Sequence, residues 1–422
     1  MMESATSLSA DRAVHETVVS RPRSMVVIGS LVGNMFCVNT TLTATMGIFI
    51  IALGHDYGWS RAATSLSWTS FSSVAFLGTA LIGRAADRFD PGRLAAVSML
   101  AFGMALLCVP YVVHSVTSLW ITYFVLAVIA LGTSPVVMSK PVAAAYSRKR
   151  GFAIGVALTG VGFGNFVLPL LTTALIGLGG WKWGYFGLGG CAIVVAPILW
   201  FTLTRGSRPA QLSAAPIGSQ YPGLSFKEAF QTHTFWLLSA AAVFGGFGMA
   251  GPAAHLVPVL RDQAMSAPAA AAVASLIGLA AIVGRIVTGL TLDWIDRSLP
   301  GLLFLCIGAL GVMLLALYGV RFSVVAVLLI GFVVGAEIDL MAYFVSRYFG
   351  LRAHAAIFGW NYGMVALGSS IAPLVVGAVR DHRGNYVLGL TLCAASLVVA
   401  GVFCALLGRY KYAAHLQARS VL

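Results

Sequence analysis

Long apolar runs separated by short polar turns recur along the chain, and the length of the runs sets the first inference. A helix that crosses a bilayer needs about 20 apolar residues. Twelve segments meet that requirement: 25–53, 62–83, 94–113, 117–140, 152–178, 184–204, 234–260, 268–292, 302–320, 322–346, 355–379 and 386–408. Residues 1–24 are polar, and the apolar run after them is too long for the core of a signal peptide. The longest internal polar stretch, 205–233, holds Arg205, Arg208, Pro209, Pro216, Pro222 and Lys227 and reads as a linker. The pattern predicts an all-α membrane protein of twelve transmembrane helices in two six-helix repeats. Its parts are a tail (1–24), a bundle (25–204), the linker (205–233), a second bundle (234–408) and a tail (409–422).

Internal repetition supports the division. Gly83 and Asp87 recur as Gly289 and Asp293, while Gly155, Gly164 and Pro169 recur as Gly359, Gly368 and Pro373. A duplicated six-helix unit suits a transporter whose halves rock about a central site. Polar residues sort the spans further. Spans three, six, nine and twelve carry no charge and no Asn, so they read as outer scaffold. A polar group is costly in lipid, and the polar-bearing spans should face protein or an aqueous cavity.

Composition agrees: 59% of the 422 residues are hydrophobic and 9% charged, against roughly 25% charged in soluble domains. The net charge of +13 sits in short loops, which suits membrane orientation rather than nucleic-acid binding. With the N-terminus inside, six of the 26 Lys and Arg lie outside (Arg61, Lys182, Arg261, Arg321, Arg380, Arg383) and two lie within spans (Lys140, Arg285). The remaining eighteen lie inside, which makes both termini cytoplasmic. The six cysteines occupy apolar runs without metal or redox spacing and read as packing residues. No P-loop and no Cys/His cluster is present, so neither ATP, a metal nor a cofactor is expected, nor is an enzyme activity.

The charges inside spans are the candidate chemistry. Arg285 lies eight residues before Asp293, so about 12 Å deep at ~1.5 Å per residue and close to the midplane of a ~30 Å core. Its guanidinium forks around a carboxylate. Glu337 and Asp339 lie ten and eight residues before Arg347, at a similar depth. They are about 200° apart around a helix, so one should face the pore and the other a neighbouring helix. Both are candidates for proton coupling, as is His255, six residues before Arg261. Each acid could instead be a structural partner of Arg285, and His255 a packing residue. Asn34, Asn165, Asn361, Tyr343 and Tyr362 are candidates to shape a substrate pocket, with helix–helix hydrogen bonding the competing role.

Gly83-Arg84-Ala85-Ala86-Asp87-Arg88, continuing to Gly92 and Arg93, resembles the signature loop of the major facilitator superfamily, with two extra residues before Gly92. The resemblance implies a conformational latch made of Gly83, Asp87, Arg88 and Arg93, with Asp293 its counterpart in the second half. Three further stretches resemble the monocarboxylate transporter family and its bacterial relatives, which include oxalate:formate exchangers. They are Tyr57-Gly58-Trp59-Ser60-Arg61, then Arg148-Lys149-Arg150-Gly151-Phe152-Ala153-Ile154-Gly155, and Gly284-Arg285 followed by Gly289 and Asp293. The stretch from Gly335 to Gly350 is also similar to bacterial members. The chain departs from animal members at Ala281, where they carry an acid, and in span one, which lacks their Lys. It lacks the span-eleven Lys of oxalate exchangers, offering Trp360, Asn361 and Tyr362 instead.

The resemblance implies a transporter of a small organic acid anion, acting by alternating access as a monomer in a bacterial inner membrane; Glu337 and Asp339, the acids within spans, make a proton the expected coupling partner. The alternatives are an organic-anion exchanger, a major facilitator transporter of a drug-like or aromatic compound, and, more remotely, a transporter-like receptor.

Overall fold

The structure, a computed structural model, describes residues 22–146, 150–204, 223–292, 298–350 and 352–410. The first half contains α1 (Arg23–Met35), α2 (Val38–Tyr57), α3 (Arg61–Arg88), α4 (Pro91–Val112), α5 (Val116–Ile129), α6 (Pro135–Ala145), α7 (Arg150–Gly179) and α8 (Trp181–Leu203). A short α9 (Phe226–Phe230) precedes the second half: α10 (His233–Asp262), α11 (Ala267–Leu292), α12 (Leu299–Tyr318), α13 (Ser323–Phe349), α14 (His354–Arg383) and α15 (Val387–Ala405). Among the described residues, nine segments are long and apolar enough to cross a membrane, one of them (Leu299–Phe349) taking in both α12 and α13.

Local sequence fixes many helix ends. The Ser60 hydroxyl accepts from the Ala63 N–H and starts α3, and the Asp90 carboxylate accepts from the Arg93 N–H with Pro91 at the first turn of α4. Ser115 and Ser118 form a capping box for α5. Gly58 (φ 69°) ends α2 in a left-handed conformation that a side chain would strain.

Three features depart from the sequence reading. Span one is two helices, broken at Phe36 and Cys37, and span four is broken between α5 and α6 by a 3₁₀ turn, Leu131–Thr133. The breaks support each other, because the Val38 N–H donates to the Thr133 hydroxyl at 3.1 Å. Thr40 and Thr41 hydroxyls donate to the freed carbonyls of Asn34 and Phe36. Non-helical backbone survives at membrane depth only when its polar groups are satisfied in this way. Second, α3 runs on to Arg88, so Gly83–Arg88 is helical and only Phe89 and Asp90 separate it from α4. Third, the linker is not polar throughout: α9 places Phe226 and Phe230 against Phe235 and Trp360. It is fastened by the Leu224 N–H donating to the Phe349 carbonyl.

The packing has approximate twofold symmetry. In the first half, α1 and α2 pack on α7, α3 on α5, and α4 on α8; in the second, α10 packs on α14, α11 on α13, and α12 on α15. The repeated glycines explain part of this. The Met35 carbonyl occupies the place of a Gly164 Cβ, and the Val243 carbonyl that of a Gly368 Cβ, so a side chain at either position would force its helix pair apart. The halves meet mainly through α3 with α14, α7 with α11, and α2 with α10. The scaffold helices α4, α8, α12 and α15 stay within their own halves in these principal contacts.

Candidate functional site

Two sets of bonds tie the halves together. The first lies at the end of the bundle that carries the α2–α3, α10–α11 and α14–α15 turns. There the Asp381 carboxylate accepts from the Arg61 and Ala62 N–H groups, at 3.2 and 2.9 Å, capping α3 from the other half. Asp262 takes both Arg61 and Arg380, at 2.6 and 2.7 Å. Arg61 also donates to the Tyr386 hydroxyl. Deeper along the same seam, Trp68 Nε1–H and the Thr69 hydroxyl donate to the carbonyls of Ser369 and Ser370.

His255 lies in this seam, wholly buried. Its Nε2 is 2.8 Å from the Pro373 carbonyl, which requires a proton on that nitrogen, and 3.3 Å from the Ser65 hydroxyl. Nδ1 is buried and has no partner. The sequence reading named His255 without its cross-half neighbour, which no local pattern reveals.

The second set is at mid-bundle, where α7 crosses α11. Gly162 and Gly278 meet backbone to backbone, each carbonyl crowding the place of the other's missing Cβ. Two turns further along α11, Arg285 donates through Nε to Asp339 Oδ2 at 3.1 Å and through a terminal nitrogen to the Leu158 carbonyl at 3.3 Å. The Arg285 and Asp339 side chains keep 24% and 35% of their surface exposed. Arg285 thus bridges α11, α13 and the opposite half while remaining reachable. A part-exposed guanidinium with one carboxylate partner is a site that another carboxylate can enter by exchange.

The two acids of α13 point different ways, as their spacing requires. Asp339 takes Arg285, while Glu337 faces a cavity within the second half, its Oε1 buried and unpartnered. The other candidates are more dispersed. Asn34 is buried in the first half and donates to the Ala157 carbonyl, leaving its Oδ1 unpartnered. Asn361 is buried in the second half, donating to Ile357 and accepting from Ser239 at 3.5 Å. The backbone of Asn165 lies at the Gly278 crossing. Tyr362 stacks on Phe358, and Tyr343 lies beneath the Arg347 guanidinium, 5.0 Å from its ring centre. The geometry therefore joins Arg285 to Asp339 and to no other named candidate by a hydrogen bond seen here.

Of the expected latch, Asp293 and the side chains of Gly83, Asp87 and Arg88 lie outside the described residues. Arg93 is exposed and sits 6.0 Å over the Trp200 ring of its own half. Among the described residues no group of three or more His, Cys, Asp or Glu could hold a metal ion.

The sequence profile of the Major Facilitator Superfamily matches residues 31–373. Monocarboxylate transporter 13 of Bos taurus is 28% identical over 268 residues, 61% of this chain and 58% of that protein. Monocarboxylate transporter 12 of Rattus norvegicus is 25% identical over 320 residues, 65% and 63% of the two chains. The chain thus spans about three fifths of the length of these relatives; for Rattus norvegicus monocarboxylate transporter 13, 26% identical, the shares are 85% and 81%. A bacterial homologue of the human lysosomal transporter Spinster, solved in an inward-facing, unoccupied conformation, superposes with a TM-score of 0.69. It is 19% identical, and the match covers 92% of this chain and 97% of that one.

Proposed function

Because the chain belongs to the Major Facilitator Superfamily, we propose that this transporter carries small monocarboxylate anions by alternating access, coupled to protons. One observation carries the reading: Arg285, at the seam between the halves, is held by a single acid among the described residues and remains part-exposed. The names of the relatives, monocarboxylate transporters 12 and 13, favour the same class of cargo.

The chemistry follows from the exchange. With the site empty, Arg285 is neutralised by Asp339. An entering carboxylate takes the guanidinium, and Asp339 is left part-buried without its counter-charge. A carboxylate in that position gains by taking a proton from cavity water. Anion and proton then load together, and the single positive charge of Arg285 is balanced by the cargo. Because Arg285 also holds Leu158 of the other half, the same exchange alters a bond across the seam. A ligand shifts an access equilibrium only through such differential contacts. One guanidinium suits one carboxylate, which favours mono- over dicarboxylates.

The bonded seam at the Asp381 end, together with the positive-inside count, supports an inward-open conformation in the plasma membrane with both termini cytoplasmic. We assign the protein to act as a monomer, since each chain holds one complete seam.

The test is binding and uptake with Arg285 variants. Purified protein is expected to gain thermal stability with one or more small monocarboxylates, and proteoliposomes to take up the same acid under a pH gradient. Arg285→Ala should weaken binding by about 2–5 kcal/mol, roughly thirty-fold or more. Arg285→Lys should fall between, since a point charge replaces the fork only in part. A folded Arg285→Ala protein that binds normally places the site elsewhere. Uptake that swaps one acid for another, with no pH dependence, identifies an exchanger.

A further inference from the structure

Inside the second half, away from the seam, α10, α12, α13, α14 and α15 line a partly open cavity of about 40 Å³. Gly245, Leu305, Met341, Phe344 and Cys404 contribute to its wall, and Glu337 is its one acidic residue. Glu337 Oε1 is buried and has no hydrogen-bond partner, and Gly245 leaves the space beside it open: a Cβ there would lie 3.3 Å from that oxygen.

This arrangement does not suit a carboxylate. Among the described residues no Lys, Arg or His lines the cavity, and the nearby cation, Arg285, is committed to Asp339 on the other face of α13. Of the titratable groups on the neighbouring helices, Cys404 of α15 lies in the wall and Tyr362 of α14 is within electrostatic reach of Glu337. Both are neutral acids and offer no counter-charge. A bare charge in such surroundings is far costlier than a neutral carboxylic acid lacking one hydrogen bond. The cavity has room for a water molecule, which can bring or remove a proton but cannot neutralise a charge.

We propose that this cavity is a second proton site, in which Glu337 is held as a neutral carboxylic acid at neutral pH, apart from the Arg285–Asp339 pair. The transporter then carries two acids with separate duties on one helix. Asp339 exchanges its proton as cargo comes and goes, and Glu337 stays loaded while the second half keeps this packing. Any part Glu337 plays in coupling rests on the transport reading, but its protonation is independent of cargo and is tested without it.

Infrared spectroscopy of the purified, substrate-free protein near neutral pH reads the site directly, since a neutral acid absorbs as a distinct carboxylic C=O stretch. That band should be present and should shift when the protein is grown with carbonyl-¹³C glutamate. The chain's glutamates are Glu3, Glu16, Glu228 and Glu337, and only the last lies in a predicted span. Glu337→Gln should remove the band and Asp339→Asn should leave it. The labelled wild-type protein decides the matter even if Glu337→Gln fails to fold. The assignment is overturned if no neutral-acid band appears, if the label leaves it in place, or if it vanishes in Asp339→Asn and survives in Glu337→Gln. None of these results depends on whether Arg285 binds a monocarboxylate.

Discussion

Arg285 is both a counter-ion and a cross-half tie, and the proposed coupling depends on Asp339 competing with cargo for it. Removing that competitor without removing the guanidinium separates the two roles. Asp339→Asn should therefore tighten anion binding. The pair is about a third exposed, so the gain is discounted for solvent to ~1 kcal/mol, roughly five-fold. The same variant should lose the rise in affinity that the proposed exchange predicts for wild type as pH falls. Titration of binding at several pH values checks both; weaker binding in Asp339→Asn would mean that Asp339 organises the site rather than competing for it. At this scale the sequence was informative about depth and opposition. Helical rise placed Arg285 and Asp339 level, and two-residue spacing sent Glu337 and Asp339 to different faces. It could not say which acid met the Arg, because that depends on how α11 and α13 are rotated about their axes.

Among the elements, α3 and α14 make the most extensive contact between the halves. Asp381, at the end of α14, caps the first turn of α3 across the seam, and helix capping is worth about 0.5–2 kcal/mol. Asp381→Ala should withdraw that stabilisation from the closed form alone, shifting the access equilibrium roughly two- to thirty-fold towards opening at this end. Spin labels at Lys182 and Arg321, both exposed and in opposite halves, would report a larger long-distance population. An unchanged distance distribution would show that the Asp262 pairs hold the end unaided. Some element ends were legible locally, since Ser60, Asp90-Pro91 and Ser115 are caps within a turn of the helices they start. The breaks in spans one and four were not. Each stretch is apolar enough to read as one helix, and the bond that stabilises the first break comes from Thr133, 95 residues from Val38 in the chain.

For the whole molecule, the distribution of Lys and Arg sets an orientation that labelling can check. In intact cells, a membrane-impermeant thiol reagent should modify single cysteines placed at Lys182 and Arg383. It should spare one at Lys227 until the membrane is opened; labelling at Lys227 from outside reverses the orientation. The sequence alone determined a membrane-spanning, all-helical, twice-repeated chain with an Arg within a span, because hydropathy, helical rise and the repeat of Gly164 as Gly368 can be read along the chain without knowing how helices pack. Tertiary structure decided which end of the seam is closed, that Asp339 rather than Glu337 serves Arg285, and that Glu337 faces a cavity of its own. Those outcomes depend on the rotation and tilt of helices against partners distant in the chain, 54 residues away for Arg285 and Asp339 and 320 for Arg61 and Asp381. Such choices are set by side-chain packing between segments, which hydrophobic periodicity does not encode.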